Sequence, residues 1–422
     1  MTTNDAFERN LSIWLHEDAE HHVPEHLAEV LQRTAAARQR PAWSSLERWL
    51  PVDTTFRPRL VRLPRPGQLL LVAGLIIVLV ALAIIAAGSQ RRLPEPFGLA
   101  RNGAIVTSRD GEIYLLDGRT AEARLAIGGD GFDFSPLFSR DGTRMLFVRS
   151  EGALPNSGPV VLTMYVANAD GSQPRAVTPP TTSLDWFDWS PNGARIAYMA
   201  QGVLWVVDVD GGGAPSRIEG TGPVHFPTWL PPGGKEIVYR RETENPGIWA
   251  VAADGATPPR ELSKTPANNR FDYQSLTVAP DGSRVSFARF TSNGTPSVVI
   301  LDLRSGEETV LPHPSATSQR GGAVFSPDAS LVAYPRIYYA DSTFQLVVAP
   351  ADGSSEGTVL GPRQPGEPEA TFAFTPDGSA VISMYGSDDQ RDIWRFPIDG
   401  SPGSVVAEGG MFSFADQQRL AP

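Results

Sequence analysis

The sequence contains no cysteine. Disulfides, thiolate nucleophiles and cysteine-based zinc sites are therefore excluded. The absence says little about compartment, because a large core needs no covalent staples. Lysine is almost missing as well. Lys235 and Lys264 are the only two, and arginine carries the remaining positive charge, a skew that reads as coding bias. Short catalytic signatures are sparse: there is no G-x-x-x-x-G-K-[ST] phosphate loop and no H-E-x-x-H zinc motif. Basic excess is lacking too, since the formal net charge is −11. Residues 1–67 hold nine acids and nine arginines, so the acidic surplus lies wholly after them. An acidic domain repels phosphate backbones, and nucleic acid is not an expected partner.

The residues that are plentiful point to a core and many turns. Hydrophobic residues make up 41% and charged residues 20% of the 422, ordinary values for a chain that buries an interior. Glycine (40) and proline (38) are abundant, which favours short strands joined by tight turns over long helices.

One stretch is apolar throughout. Leu69–Ala87, LLLVAGLIIVLVALAIIAA, has no charge and no strongly polar side chain. As a helix rising about 1.5 Å per residue it matches a hydrocarbon core roughly 30 Å thick. A soluble helix keeps a polar face, and a signal peptide starts nearer the N-terminus. A single span over 68–88 is therefore expected, with the bilayer as partner. Arg48, Arg57, Arg59, Arg62 and Arg65 precede it and Arg91, Arg92 and Arg101 come after it. That bias predicts a cytoplasmic N-terminus and an extracytoplasmic remainder in the cell membrane.

Beyond a Pro- and Arg-containing linker at 89–101, one phrase repeats. FSRDGTRMLFV (138–148), WSPNGARIAYM (189–199), WLPPGGKEIVY (229–239), VAPDGSRVSFA (278–288), FSPDASLVAYP (325–335) and FTPDGSAVISM (374–384) each open a unit. Each unit continues with a second apolar stretch ending in a turn, as in MYVANADGS or IWRFPIDGS, and then a short closing piece. Pro presets φ at the second turn position, and Asp and Gly tolerate the geometries of the next two. Tyr165, Trp205, Trp249, Val299, Leu346 and Trp394 are expected at matching positions of the third strands. Four strands per unit at a period of 40–50 residues is a β-propeller signature. The segment 102–127 supplies three strands but no opening one, and GMFSFADQQRLAP at the end supplies an opening strand alone. Joined, they form a seventh blade. The expected fold is all-β, a seven-bladed propeller over 102–422 closed by the C-terminal strand. Six blades, with 102–127 as an outer decoration, is the alternative.

The phrases WSPNGARIAY, FSPDASLVAY and FTPDGSAVIS, each leading into a strand that ends in a turn, resemble the WD-like repeats of TolB-type β-propellers, as does the terminal QQRLAP. The resemblance covers roughly residues 100–422. It implies a protein- or ligand-binding platform at a bacterial envelope, with no activity specified. The PPGG of 231–234 departs from the pattern, so an altered turn is expected there.

Residues 5–40 read as two helices, with Phe7, Leu11 and Trp14 on one face and Leu27, Val30 and Leu31 on another. This layout is similar to the cytoplasmic portion of membrane anti-sigma factors, which implies a regulator as partner for 1–67. The His-Cys-Cys zinc pattern of some of those proteins is absent. His16, His21, His22 and His26 cluster here, but Pro24 interrupts the one helix-compatible pair, and a solvated helix end is the simpler reading. The DVDGGG and NADGS runs lack the glutamate of a helix-loop-helix calcium site and are turn chemistry. No metal and no cofactor is expected.

Opening strands line a propeller's channel, which makes Asp185, Asp188, His225 and Asp272 the candidate ligand contacts at its mouth. The plainer reading of each is a turn or rim residue. The expected function is a non-catalytic extracytoplasmic binding or protein-interaction module for a protein or glycan. A transmembrane anti-sigma-like regulator and a propeller enzyme of lyase or glycosidase type are the alternatives. An enzyme of that type needs two carboxyl groups converging about 5–10 Å apart.

Overall fold

The computed structural model describes residues 97–421 apart from short segments at 119, 121, 152–159, 242–245, 265–275, 291–294, 320–321, 366–371, 388–389 and 411. The span at 69–87, the helices at 5–40 and Asp272 lie outside the described residues. Among the described residues no helix is long and apolar enough to cross a membrane.

Seven antiparallel sheets succeed one another along the chain. Blade I pairs Arg101–Arg109, Glu112–Leu116 and Ala123–Ile127 with the last strand, Phe412–Leu420. Blades II, III and IV open at Phe132–Phe138, Asp185–Trp189 and Val224–Trp229. Blades V and VII open at Leu276–Val278 and Phe372–Phe374. Blade VI opens with a divided strand, Thr317–Gln319 and Val324–Phe325, both parts pairing Leu331–Tyr338. Six blades are continuous in sequence and the seventh is shared between the two ends, as the truncated repeat at 102–127 predicts. The six-blade alternative is thereby removed.

The core explains why no blade stands alone. Seven apolar clusters each draw side chains from two neighbouring blades. Phe138, Met145 and Phe147 of blade II meet Val106, Ile113 and Leu115 of blade I. Ile382, Met384 and Ile393 of blade VII meet Ile105, Leu116 and Ala415 across the closing seam. Every sheet thus buries both faces, which accounts for second strands that read as unbroken apolar runs.

In the third strands, Tyr165 lies opposite Phe147, Trp205 opposite Tyr198, Trp249 opposite Tyr239, Val299 opposite Phe287 and Trp394 opposite Ser383. Blade VI differs from expectation by one residue. Val347, not Leu346, faces Tyr334, and Leu346 pairs Pro335 on the other face. A slip of one exchanges faces in a strand, and two adjacent apolar residues gave the sequence no way to choose.

The repeated turn is a closed hydrogen-bond unit. In blade II, Ser139 Oγ donates to Asp141 Oδ1 at 2.6 Å and accepts from Arg144 N at 3.0 Å. Asp141 also accepts from Thr143 N, and Gly142 N donates to Ser139 O. Ser190–Arg195, Ser326–Leu331 and Thr375–Ala380 repeat the arrangement. In blade IV the PPGG turn is one residue longer, Gly234 N reaching back to Leu230 O.

These turns also lock blade to blade. The Arg195 guanidinium lies 4.8 Å from the Trp229 ring and donates to Gly234 O, both in the next blade. Arg284 repeats this on Phe325 and Ala329 O. Gly142 (φ +66°) sits so close to the closing strand that a Cβ would lie 2.1 Å from Arg419 O. Gly202 (φ +74°) has nothing within 4 Å.

Gly142→Ala therefore combines backbone strain with a backbone clash. It is expected to cost roughly 2–4 kcal/mol, against about 1 kcal/mol for Gly202→Ala, read as urea midpoints. Deleting residues 412–422 should lower the melting temperature sharply; an unchanged melt would contradict closure through this strand.

Candidate functional site

The opening strands run between two ends of the channel, and the candidate residues divide between them. Asp188 stands one residue before the end of its strand, beside the turn. Its carboxylate is 14% exposed and accepts from Thr228 Oγ1 at 2.8 Å and Trp229 N at 3.1 Å in the next blade. Arg140 approaches its other oxygen at 3.6 Å. Asp188 is therefore an inter-blade fastener.

A parallel fastener closes the ring. Asp416 on the last strand accepts from Phe138 N at 2.9 Å, the same bond made two seams away. Asp416, Arg140, Asp188, Gln417 and Arg419 line a small cavity walled by Leu137 and Trp189, about 90 Å³ in volume. Burial pushes the Asp416 carboxyl up to about 6, against the pull of the Phe138 amide, Arg140 and Arg419. Burial and the Arg140 charge bring the Arg419 guanidinium down to about 10.

Asp185 begins the same strand that Asp188 ends, at the opposite end of the channel. Asp188 is committed to the next blade at the turn end, so the two carboxyl groups do not form an open pair. Asp185 is exposed and accepts from Ser183 Oγ at 2.9 Å. His225 occupies the equivalent position in blade IV, opposite Arg240. Burial first, and then the Arg240 charge, lower its imidazole below the usual histidine range, while Asp185 acts in the other sense. The ring is accordingly neutral at pH 7.

Two aromatic residues bring these polar groups together. Trp186 adjoins Asp185 and Phe226 adjoins His225, and their rings stand 4.2 Å apart between centroids at 50°. Both have positive φ, +39° and +55°, as does Ser135 (+52°) at the same place in blade II. Each marks an irregularity in the pairing of an opening strand. Bulky residues rarely occupy this region of φ/ψ space, and such outliers concentrate where a side chain is being aimed. The result is a buried Phe226 (7% exposed) supporting a Trp186 that is 43% exposed. The Arg240 guanidinium backs Phe226 at 5.0 Å.

Asp185 and His225 are thus brought into one patch, Asp188 is sent to the other end, and Asp272 lies outside the described residues. Trp186, Phe226 and Arg240 escaped the sequence reading. Their signal was the density of aromatics in DWFDW, more than an alternating strand can bury on one side. Gly353–Gly357 has G-x-S-x-G spacing, but it is a hairpin between strands of blade VI with no helix after it, unlike a nucleophile elbow. Among the described residues no group of three or more His, Asp or Glu is placed to hold a metal ion.

No family model matches the chain. An uncharacterized protein of Agrobacterium fabrum is 23% identical over 254 residues, covering 55% of this chain and 83% of that protein. The structure of oligogalacturonate lyase from Vibrio parahaemolyticus aligns with a TM-score of 0.52 at 13% identity, over 73% of this chain and 92% of that one. TolB from Acinetobacter baumannii aligns with a TM-score of 0.49 at 16% identity, over 76% and 81%. At 13% identity the lyase likeness shows the propeller fold and carries nothing about the site.

Asp416 gives a pH dependence of definite sign. Its folded value, about 6, lies above the ordinary 3.8, so the folded state holds the proton more tightly. Its contribution to stability is full below about pH 4 and is lost as pH rises through 6. Asp416→Asn lacks that slope. Its urea midpoint, relative to the parent chain, should rise between pH 4 and 7.

Proposed function

We propose that the chain is a single-pass envelope protein whose propeller is an extracytoplasmic, non-catalytic binding module, with the Asp185–Trp186–His225–Phe226 patch as its binding site. The observation that carries this reading is Trp186, a large apolar side chain 43% exposed on left-handed backbone. Folding alone gives no return for aiming it at solvent, whereas an amphipathic aromatic beside a few polar groups is the usual make-up of a binding surface.

The apolar run Leu69–Ala87 supplies the anchor, and the arginine bias around it puts residues 1–67 in the cytoplasm. The chain enters the propeller at the turn end, where Ala100 N donates to Pro376 O and Arg419 to Gly98 O. The patch is at the other end. The commitment of Asp188 to Thr228 and Trp229 weighs against Asp185 and Asp188 acting as an acid–base pair. A second reading, a signalling protein whose residues 1–67 hold a cytoplasmic regulator, adds to the first and shares its architecture.

The test is site-specific photo-crosslinking of the full-length chain in intact membranes. Gln201 is exposed beside the patch, its N–H donating to Ser183 Oγ, and Asp281 is exposed on a turn. A crosslinker at 201 is expected to capture a partner that one at 281 does not. Equal capture at both, or none at 201, refutes the assignment.

A further inference from the structure

We infer that the Trp186 patch takes the ring of a neutral pyranose, so that the ligand of the binding module is an uncharged glycan. The inference rests on the proposed binding role and goes further by choosing a ligand class.

Three observations favour a sugar over a protein surface. First, the patch is built on one exposed aromatic. Among the described residues, most of the other large exposed apolar side chains lie away from the patch. Four are on outer strands of blades I, V, VI and VII, and Leu99 is at the turn end. Val161 and Tyr339 adjoin the connections between second and third strands of blades II and VI. A protein interface of ordinary size buries about 800 Å² per side around an apolar middle, and among the described residues Trp186 is the one large exposed apolar side chain on an opening strand. Second, the tilt of 50° against Phe226 uses one side of the indole and holds the ring in place. A fixed flat apolar face costs little entropy on binding and matches the C–H face of a pyranose.

Third, the flanking groups fit hydroxyls. The Asp185 carboxylate is an exposed acceptor, and a neutral imidazole at His225 both donates and accepts. Hydroxyl groups need that mixture, whereas a cationic peptide needs only acceptors. Arg240 is 3% exposed and lies behind Phe226, so it does not offer its guanidinium to a ligand directly. With Asp185 at the front, a uronate carboxylate meets repulsion. The patch should therefore discriminate against acidic sugars.

The experiment is calorimetric titration of the full-length chain, held in a polyoxyethylene detergent without sugar headgroups. The probes are maltohexaose, cellohexaose, chitohexaose and hexagalacturonate. At least one neutral hexasaccharide should bind, and hexagalacturonate about tenfold more weakly or not at all. Trp186→Ala should weaken binding about tenfold, Trp186→Phe should recover part of the loss, and Asp185→Asn should weaken it severalfold. Because Trp186 is exposed, melting of its alanine variant should match the parent, which separates a lost contact from a lost fold. Binding by Trp186→Ala within twofold of the parent overturns the inference, as does tighter binding of the acidic oligomer. If none of the neutral probes binds while a crosslinker at 201 captures a protein, the binding module stands and the sugar assignment falls.

Discussion

A sheet edge must be paired, covered or charged, and a ring of sheets has no edge only if its last strand finds its first. Here that pairing joins residues about three hundred positions apart, Ile105 opposite Gln417 and Thr107 opposite Ala415. The bonds around it are denser than a strand alone would make. Gln417 Nε2 donates to Gly103 O, Gln418 Nε2 to Gly142 O, Arg419 Nη2 to Gly98 O and Arg101 Nε to Ala421 O. The last strand and its exit thus tie together blade I, the turn of blade II and the incoming chain. Contacts so distant in sequence carry a large closure entropy that is offset only when the ring is complete. Closure is therefore the step on which the other inter-blade contacts depend.

The remaining seams use a smaller set of devices. The Trp229 indole donates to Asp188 O and the Trp189 indole to Leu137 O, each one blade back. Within the blades, an arginine two residues past the aromatic of the second strand ties strands and loops together. Arg149 pairs with a fully buried Asp133 through two bonds of 2.7 Å. Arg241 donates to Thr221 O and stacks 4.0 Å from Trp249. Arg289 meets Glu308, and Arg336 reaches Glu356 O. Planar guanidinium groups suit this use because they stack and donate at once. A chain with two lysines among its 36 basic residues has thus recruited arginine to hold its blades.

The fold was legible because its signals are local and repeated. The S-P-D-G turn, the apolar second strand and the truncated first unit each state their role within a few residues, and agreement across six copies removes ambiguity. The slip at Leu346 and Val347 shows the limit: period two cannot be phased where both neighbours are apolar. The arginine clasps were written in FVRS, YRR, FARF and YPR, but their partners could not be named before the strands within each blade were paired. The site was legible only in part. Asp185 and His225 drew notice because they stand at the start of opening strands, and Asp188 was grouped with them because the sequence cannot tell which end of a five-residue strand faces which way. The pairing of Trp186 with Phe226 depends on two backbone irregularities, and neither Trp nor Phe advertises positive φ.

The two ends of the channel carry opposite chemistry, and one cause accounts for both. At the turn end, carboxylates, indoles and backbone amides bond across every described seam from blade I to blade IV, leaving little that could rearrange around a ligand. At the other end the ladder of three successive opening strands is broken by an extra residue, at Ser135, Trp186 and Phe226. A bulge releases ladder hydrogen bonds and turns a side chain out of the alternating pattern, so each irregularity trades pairing for display. In blade II the displayed residue is a serine. In blades III and IV it is an aromatic, and the two stack. Strand pairing is a shared resource along a short blade, and the rigid turn end allows the far end to relinquish some of it without opening the ring. The aromatic display consequently falls where pairing is weakest.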